Sequence, residues 1–480
     1  MNSAIGRSQV LRFYIKMFSG GNKPSSSAKD DDVSSLYSIK ILSDFLDRSD
    51  SSLYHEVYPG TERAEYDFTL ERRNVNGTNL LESTSHIVKG CLGVGILSMH
   101  VGYMHGGLWA SLGVTAVIGS LVPYAMYMLV YSAQKLYVRL RVPRLTYSHL
   151  VEAAIATGPM RCCRKHSKVF RYSMDVILFS EVCGTCCIYQ IMIASTMKQV
   201  LESLSPTILG WHLSLRIYIL IVMVPFFCMS MITNLKYLAP FSLIADLFVA
   251  ICILTTMYYS LSEAGDIRDR PAYKDFFGLI QFTGILLYSI DGASVTMPIE
   301  NNMTKPLYFP MALQIGMTIV LLSVTLTGFF GYWGYGEKCR SPIITHMPFE
   351  TVPIILGFLF LAALIVSFAI NFWVPFRIIW HYIGRRHKRK HGVWERIYRG
   401  ILVIIITCLS LAYPNLIRLM ILMGNFFLSI TTFIVPALIE SLVTWRPRGQ
   451  GSVRWRLLKN TLLITFGLAL CICTLMYFDK

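Results

Sequence analysis

Residues 85–100 read SHIVKGCLGVGILSMH, an apolar stretch with three glycines between positions 90 and 95. Glycine in the interior of a helix costs about 1 kcal/mol relative to alanine. A membrane helix that accepts this cost in its middle is expected to be interrupted there. Unwound backbone at membrane depth occurs only where it is buried in protein or lines a cavity. The stretch therefore predicts a broken helix beside an internal site, with close helix packing through small residues as the alternative.

The composition is that of a polytopic membrane protein. Of the 480 residues, 54% are hydrophobic and 15% are charged, whereas about 25% of the residues in a soluble protein are charged. Apolar runs of about 20 residues, the length that crosses a bilayer, recur along the chain and predict an all-α membrane protein with eleven transmembrane helices. The predicted spans are 83–103, 108–131, 172–196, 214–233, 238–260, 277–299, 308–334, 351–383, 397–413, 417–441 and 457–477.

Charge and composition also predict the domains and the orientation. Residues 1–78 are rich in Ser, Asp, Lys and Asn and are expected to form a disordered cytoplasmic tail, followed by a transmembrane domain over 79–480. The predicted loops 132–171, 384–396 and 446–459 are rich in Lys and Arg, so the positive-inside rule places them and the N-terminus in the cytoplasm. The net charge of +16 lies beside the spans and favours membrane lipids over nucleic acid as partners.

A second interruption falls in the sixth predicted span. Residues 284–302 read GILLYSIDGASVTMPIENN, in which Asp291 and Gly292 interrupt an apolar run and Pro298 follows. Breaks in the first and sixth spans are typical of two inverted five-helix repeats. In such proteins, half-helix ends and unwound backbone bind the ligand near the membrane midplane. We therefore predict a five-plus-five inverted repeat with broken first and sixth helices.

The predicted binding residues cluster at these two breaks. Glycine lets backbone approach a ligand closely, the start of a helix attracts an anion, and a carboxylate with exposed carbonyls suits a cation. Glu181 in the third span and Glu300 at the end of the sixth are predicted supporting polar groups, because charge inside a bilayer is costly. Hydrogen bonding to a neighbouring helix is the structural alternative for such groups. The predicted binding residues are Gly90, Gly93, Val94, Gly95, Ser289, Asp291 and Gly292.

Enzyme signatures are missing from the sequence. The stretch KGCLGVGI lacks the Gly-Lys-Ser/Thr ending of a phosphate-binding loop, and no nucleophile elbow or zincin helix is present. Cys162, Cys163 and His166 are too few ligands for a zinc site. The sequence therefore predicts a protein that is not an enzyme and that holds neither a cofactor nor a metal.

At these residues the sequence resembles the amino acid/auxin permease family and, within it, the proton-coupled amino acid transporters of animals. The resemblance covers about residues 78–478, and the order and spacing of its motifs carry it. The motifs are HIVKGCLGVGIL (86–97), MDVILF (174–179), CCIY (186–189), KQVLE (198–202), MPIENNM (297–303), INFWVPFRII (370–379) and FIVPALIE (433–440).

The resemblance implies the eleven-helix architecture and symport of small amino acids with protons. His86 falls on the family's functional histidine, which makes it the predicted proton-coupling residue, since an imidazole titrates near neutral pH. Glu300 falls on the family's sixth-span glutamate, and Asp291 stands where many relatives have glutamate. This sequence departs from the family at Cys91, Val94 and His100, the last of which replaces a usual proline.

The sequence thus predicts a proton-coupled secondary transporter of small neutral amino acids, with protons as the coupling ion. An amino acid-sensing receptor with little flux would share every motif. A channel would need a continuous polar path instead of polar groups clustered at two breaks. The expected location is the plasma membrane, with the late endosome or lysosome as the alternative.

Overall fold

The computed structural model describes residues 66–72, 77–204, 213–232, 239–262, 264–346, 351–387, 391–445 and 452–478. The predicted tail lies almost entirely outside these residues. Contacts divide the chain into two compact units, Met1–Arg72 with Tyr137–Leu145, and Arg73–Leu136 with Thr146–Lys480.

The described part of the smaller unit is held by one arginine. The Arg72 Nε group donates a hydrogen bond to the Pro143 carbonyl at 2.7 Å. Its guanidinium carbon lies 4.9 Å from the centre of the Phe68 ring and 5.0 Å from that of Tyr137. The hydrogen bond and the two ring contacts give the guanidinium group its partners, because Arg72 is only 7% exposed.

Helices make up all the regular structure of the described residues. The first nine are α1 (Phe68–Arg72), α2 (Leu80–Cys91), α3 (Met99–Gly106), α4 (Leu108–Leu140), α5 (Tyr147–Thr157), α6 (Arg161–Arg164), α7 (Ser167–Leu204), α8 (Leu215–Ser230) and α9 (Ala239–Ser262). The others are α10 (Phe276–Ser289), α11 (Ala293–Asn302), α12 (Phe309–Tyr335), α13 (Thr351–Ile383), α14 (His391–Ala412), α15 (Leu416–Leu422), α16 (Val435–Val443) and α17 (Ser452–Phe478).

These helices confirm the prediction of a multi-pass, all-helical membrane protein. Seven helical segments of the described chain are long and apolar enough to cross a membrane, or eight when the bent pair α2 and α3 counts as one span. Every predicted span coincides with a helix or a broken helix. The count of eleven crossings and the inverted repeat stay predictions.

Several helices run beyond the limits that hydropathy predicts, α4 and α7 by the most. The predicted span 108–131 is part of α4, which continues to Leu140, and the predicted span 172–196 is part of α7, which reaches Leu204. A helix satisfies its own backbone hydrogen bonds, so it can continue past the apolar run into polar sequence. Hydropathy marks the apolar part alone.

The first predicted break is present between α2 and the helix that follows. The chain leaves the helical region at Leu92 (φ −82°, ψ 76°) and is extended at Gly93 (φ −76°, ψ 176°). It becomes helical again in a 3-10 turn, Val94–Ser98, which leads directly into α3. The two parts are bent by 45°, so this span is a pair of half-helices.

The second break separates α10 from α11. Gly292 has φ −151° and ψ 1°, and Asp291 Oδ1 accepts a hydrogen bond from the backbone N–H of Ala293 at 3.2 Å. The Thr296 hydroxyl donates to the Gly292 carbonyl at 2.6 Å. Asp291 therefore stabilises the start of α11, since the first N–H groups of a helix have no partner within it.

Backbone hydrogen bonds join the start of α2 to the end of α11, the ends of the two broken helices that lie far from the breaks. The N–H of Thr78, just before α2, donates to the carbonyl of Asn302, the last residue of α11, at 2.9 Å. The N–H of Thr304 donates to the Thr78 carbonyl at 3.1 Å. These bonds fix the entry of the first span to the exit of the sixth.

A widened helix packs against α10. The segments Met423–Leu428 and Ile430–Ile434, between α15 and α16, are π-helical, a geometry frequent at functional sites. The backbones of Gly424 and Gly284 are in direct contact, and Asn425 Nδ2 donates to the Ile280 carbonyl at 2.9 Å. We call residues 423–434 the π segment.

Helix α5 is anchored over the same region. The Tyr147 hydroxyl donates to the Thr431 carbonyl of the π segment. Glu152 is 1% exposed and pairs with Arg171 of α7, with 3.0 Å between Oε2 and Nη1. Both contacts hold α5 in place, so residues that the sequence assigns to a loop contribute to the interior.

A side chain at Gly284 is expected to destabilise the protein. A Cβ atom there would lie 2.9 Å from the Ile421 Cα atom, closer than real Cβ contacts, and overpacking costs about 1–3 kcal/mol. We expect Gly284→Val to lower the melting temperature in detergent, measured by size-exclusion chromatography after heating. Gly113→Ala is the control, because no atom lies within 4 Å of its added Cβ. Equal heat resistance of both variants would contradict this packing.

Candidate functional site

The two breaks are in contact with each other. A Cβ atom on Gly95 would lie 2.8 Å from the Ser289 Cα atom and 2.9 Å from the Tyr288 Cδ1 atom. A Cβ atom on Gly292 would overlap the sulfur of Cys91. The absence of side chains at Gly95 and Gly292 is therefore what lets one interruption pack on the other.

The flanking half-helices touch as well. A Cβ atom on Gly90 of α2 would lie 2.9 Å from Cγ2 of Val295 in α11. At Gly93 the nearest atom to an added Cβ is the Tyr288 carbonyl oxygen at 3.6 Å, an ordinary contact. The structure thus brings together all the predicted binding residues, although the steric need for glycine differs among them.

Polar backbone groups converge where the breaks meet. Val94 and Gly95 begin a helical stretch and are buried, so their N–H groups lack a partner within that helix. Ser289 ends α10 and is fully buried, and its hydroxyl donates to the Ile285 carbonyl at 2.7 Å. Ser289 can therefore offer a ligand its backbone and the lone pairs of its hydroxyl, but not a hydroxyl proton. Asp291 is half-buried beside them.

Glu181 of α7 lies close to this junction. Its side chain is buried, at 2% exposure, and its polar neighbours are the carboxyl group of Asp291 and the hydroxyl of Thr431. Tyr147 lies within electrostatic range of both carboxyl groups. Four elements therefore contribute polar groups to one buried cluster: α5, α7, the second break and the π segment. We call Tyr147, Glu181, Asp291 and Thr431 the acidic cluster.

Glu300 is separated from the acidic cluster. It lies seven residues after the start of α11, about 10 Å along the helix axis, and it is fully buried. Gln134 Nε2 of α4 donates to Glu300 Oε1 at 3.3 Å and to the Pro306 carbonyl at 3.3 Å. Glu300 therefore joins α11 to α4 at the tied end of the broken helices, which agrees with a supporting role.

His86 lies on an exposed face of α2. The buried face of this helix carries Ser83, Thr84, Ile87 and Cys91, whereas His86 is exposed. It lies about 8 Å along the axis before the break. Within the described residues, no hydrogen bond or ion pair connects His86 to Asp291 or Glu300. The structure therefore places His86 on the first broken helix but outside the contact between the two breaks.

The histidine at position 100, where the resembled family usually has proline, has a structural explanation. His100 of α3 is fully buried, and its Nε2 group is 2.8 Å from the Arg340 carbonyl, to which a protonated Nε2 donates. The Ser98 and Ser341 hydroxyls share a hydrogen bond, and the Arg340 N–H donates to His346 Nε2 at 2.8 Å. The loop after α12 is thus fastened to the first broken span, a contact that proline could not make.

Three residues of the site are not predicted from the sequence. Tyr147 lies in a helix that hydropathy assigns to a loop, and Thr431 lies in the π segment. Tyr288 follows the apolar run 285–287 and lies near Asp291. The available signal was the Thr431-Thr432 pair within an apolar run, since paired hydroxyls in a membrane helix need partners.

These features define a multi-pass, all-helical membrane protein with a candidate site where two broken helices meet. A solved structure of Mhp1 in an inward-facing conformation has a similar fold, with a TM-score of 0.51 and 11% identity over 85% of this chain and 92% of that one. At this identity the likeness supports the fold alone.

The chain belongs to the transmembrane amino acid transporter protein family, whose model matches residues 76–478. It is 32% identical over 408 residues to the proton-coupled amino acid transporter-like protein pathetic of Drosophila melanogaster, covering 84% of this chain and 85% of that one. It is 24% identical over 397 residues to a probable amino acid transporter of Caenorhabditis elegans, covering 79% and 85%. The protein is therefore a transporter-family member and not an enzyme.

The contact at Gly95 generates a test of the site. We expect Gly95→Ala to lower the initial rate of amino acid uptake at least about tenfold, because backbone would have to move and about 1.4 kcal/mol corresponds to that factor. Gly93→Ala should lose less, since its Cβ atom would be 3.6 Å from the nearest atom and φ −76° suits any residue. Uptake is measured per molecule of surface protein. A larger loss of uptake in Gly93→Ala than in Gly95→Ala would contradict this geometry.

Proposed function

We propose that the protein is a proton-coupled symporter of small neutral amino acids. The observation that carries the proposal is the contact between the two breaks, beside which the Asp291 carboxyl lies. Family membership supports amino acids as the substrate class. The name of the Drosophila relative supports protons as the coupling ion.

The substrate is a zwitterion, so its site needs an anion-binding part and a cation-binding part. In the proposal, the substrate carboxylate binds the N–H groups of Val94 and Gly95, where the helix dipole is positive. The ammonium group binds the end of α10 around Ser289 and the Asp291 carboxylate. Gly90, Gly93 and Gly292 allow this close approach of backbone.

The proposed architecture has eleven spans in two inverted five-helix repeats, with the N-terminus in the cytoplasm and the plasma membrane as the location. The concentration of Lys and Arg in the loops around 132–171 and 384–396 supports this orientation. Alternating access then exchanges the exposure of the substrate at the junction of the breaks. The late endosome or lysosome is the alternative location.

Proton coupling is proposed to involve His86. The residue falls on the functional histidine of the family that the sequence resembles, and its side chain is exposed on α2. Lys89 follows it by three residues on the same face. In the proposal, His86 takes part in proton exchange near the first break.

The function itself is tested by reconstitution. Purified protein in liposomes is expected to concentrate radiolabelled alanine when the outer pH is lower than the inner pH. Empty liposomes, and liposomes in which the gradient is collapsed by an ionophore, are the controls. Absence of flux for glycine, alanine and proline would favour a receptor instead.

Replacement of Asp291 separates its charge from its capping role. Asn caps helices as well as Asp does, so Asp291→Asn keeps the hydrogen bond to Ala293 and removes the charge. We expect it to raise the apparent KM for alanine at least about tenfold, or to abolish flux, since losing one charged partner costs several kcal/mol. Asp291→Glu should keep activity. Equal loss in both variants would mean that local packing matters more than the carboxylate.

Replacement of His86 tests proton coupling. We expect His86→Ala to reach the membrane in near-normal amount, because the residue is exposed, and to lose acid-stimulated uptake. The measurement compares alanine uptake at an acidic and a near-neutral outer pH, about 5.5 and 7.5, with surface biotinylation for protein amount. A variant that still concentrates alanine in response to the gradient would assign the coupling to another group.

A further inference from the structure

Glu181 is a buried carboxyl group without a hydrogen-bond partner. It is 2% exposed, and neither side-chain oxygen makes a satisfactory hydrogen bond within the described part of the chain. An ionised carboxylate is far more costly to bury than a neutral polar group. The surroundings of Glu181 thus accept the neutral acid and reject the carboxylate.

The hydroxyl groups near Glu181 point to the same protonation state. The Tyr147 hydroxyl donates its proton to the Thr431 carbonyl, and the Thr431 hydroxyl donates to the Phe427 carbonyl at 3.3 Å. A hydroxyl has a single proton to donate. Tyr147 can therefore offer Glu181 only lone pairs, which a protonated carboxyl can use and a carboxylate cannot, and Thr431 would have to give up its bond to Phe427 before it could donate to a carboxylate.

No positive charge compensates Glu181 among the described residues. The titratable groups facing it are Asp291 from the second break and Tyr147 from α5, and the π segment contributes the neutral Thr431. Two carboxylates that share a buried site do not both ionise readily. The acidic cluster can therefore hold one negative charge at Asp291 if Glu181 keeps its proton.

We propose that Glu181 binds the transported proton; this rests on the proton symport proposed above. A proton from water forms an O–H bond with the Glu181 carboxylate when the site is open to one side. When the site opens to the other side, that O–H bond breaks, its electron pair stays on the carboxylate, and the proton passes to water. The described conformation accepts Glu181 only with its proton, so entering and leaving this conformation is linked to proton binding.

Occlusion distinguishes Glu181 from His86. At one stage of the transport cycle, a coupling ion has to be shielded from both sides of the membrane. Otherwise it would cross the membrane without the substrate. Glu181 meets this condition, because it is fully enclosed beside the acid Asp291 that is proposed to hold the substrate ammonium. His86 is exposed on α2. In this division, His86 exchanges protons with water and Glu181 holds the occluded proton.

Glu181→Gln tests the proposal, because the amide is a neutral analogue of the protonated acid and has N–H groups to donate to Tyr147 and Thr431. Reconstituted protein is assayed in three ways: exchange of labelled for unlabelled alanine, accumulation driven by a pH gradient, and lumen acidification reported by a trapped pH-sensitive dye. Exchange requires no net proton release, so we expect it to continue within about twofold of wild type, a difference under 0.5 kcal/mol.

Gradient-driven accumulation and alanine-dependent acidification are expected to disappear in Glu181→Gln. Wild type at one proton per amino acid supports about tenfold accumulation per pH unit, and the variant should reach no more than equal concentrations on both sides. Glu152→Gln is the matched control: Glu152 is also buried, but it is paired with Arg171 at 3.0 Å. This variant should keep the wild-type ratio of protons to alanine, whatever its yield.

The outcomes separate this inference from the proposed function. Acidification by Glu181→Gln would overturn the role of Glu181 and leave symport intact, whereas wild type that moves alanine without protons would overturn symport. If Glu181→Gln does not exchange alanine, Glu181→Asp decides. A shifted midpoint of the pH dependence, since the new carboxyl sits at a different distance from Asp291, supports the proposal, and an unchanged midpoint overturns it.

Discussion

The contact between Gly95 and the backbone at Ser289 is the constraint on which the rest of the structure depends. A helix interrupted inside a membrane leaves N–H and C=O groups that lipid cannot satisfy. Here each interruption is buried against the other, so these groups converge on one place. The start of one helical stretch, with partial positive charge, faces the end of another, with partial negative charge. The charge pattern matches that of an amino acid's two ionised groups.

Local sequence predicts the features that depend on local chemistry. The glycines around Gly93 and the pair Asp291-Gly292 mark both breaks, because these residues disfavour a continuous helix whatever surrounds them. Apolar runs mark the spans, because hydropathy is likewise a property of the local sequence. The ends of α4 and α7 are not predicted, since a helix can extend into polar sequence once its apolar part is in place.

Tertiary contacts decide the rest of the site. The sequence identifies Glu181 and Asp291 as unusual acids, but their proximity depends on how α7 packs beside the second break. Tyr147 comes from a helix outside the predicted spans. The π segment has no periodic signature, because its wider turns use the same residue types as an α-helix. Asp291 illustrates both levels: the sequence predicts a carboxylate that binds the ligand, and the structure adds its hydrogen bond from the first N–H group of α11.

The bonds of Thr78 to Asn302 and Thr304 bear on how the molecule can move. They pin the starting end of one broken helix to the finishing end of the other, far from the breaks. The halves beyond the breaks, α3 and α10, pack on each other as well: the ring centres of Tyr103 and Phe282 are 5.1 Å apart, and Gly278 lies against the His105 carbonyl. The two broken helices are therefore joined at both ends, by backbone hydrogen bonds at one end and by side-chain packing at the other. A movement of one broken helix relative to the other has to disturb one of these two joints.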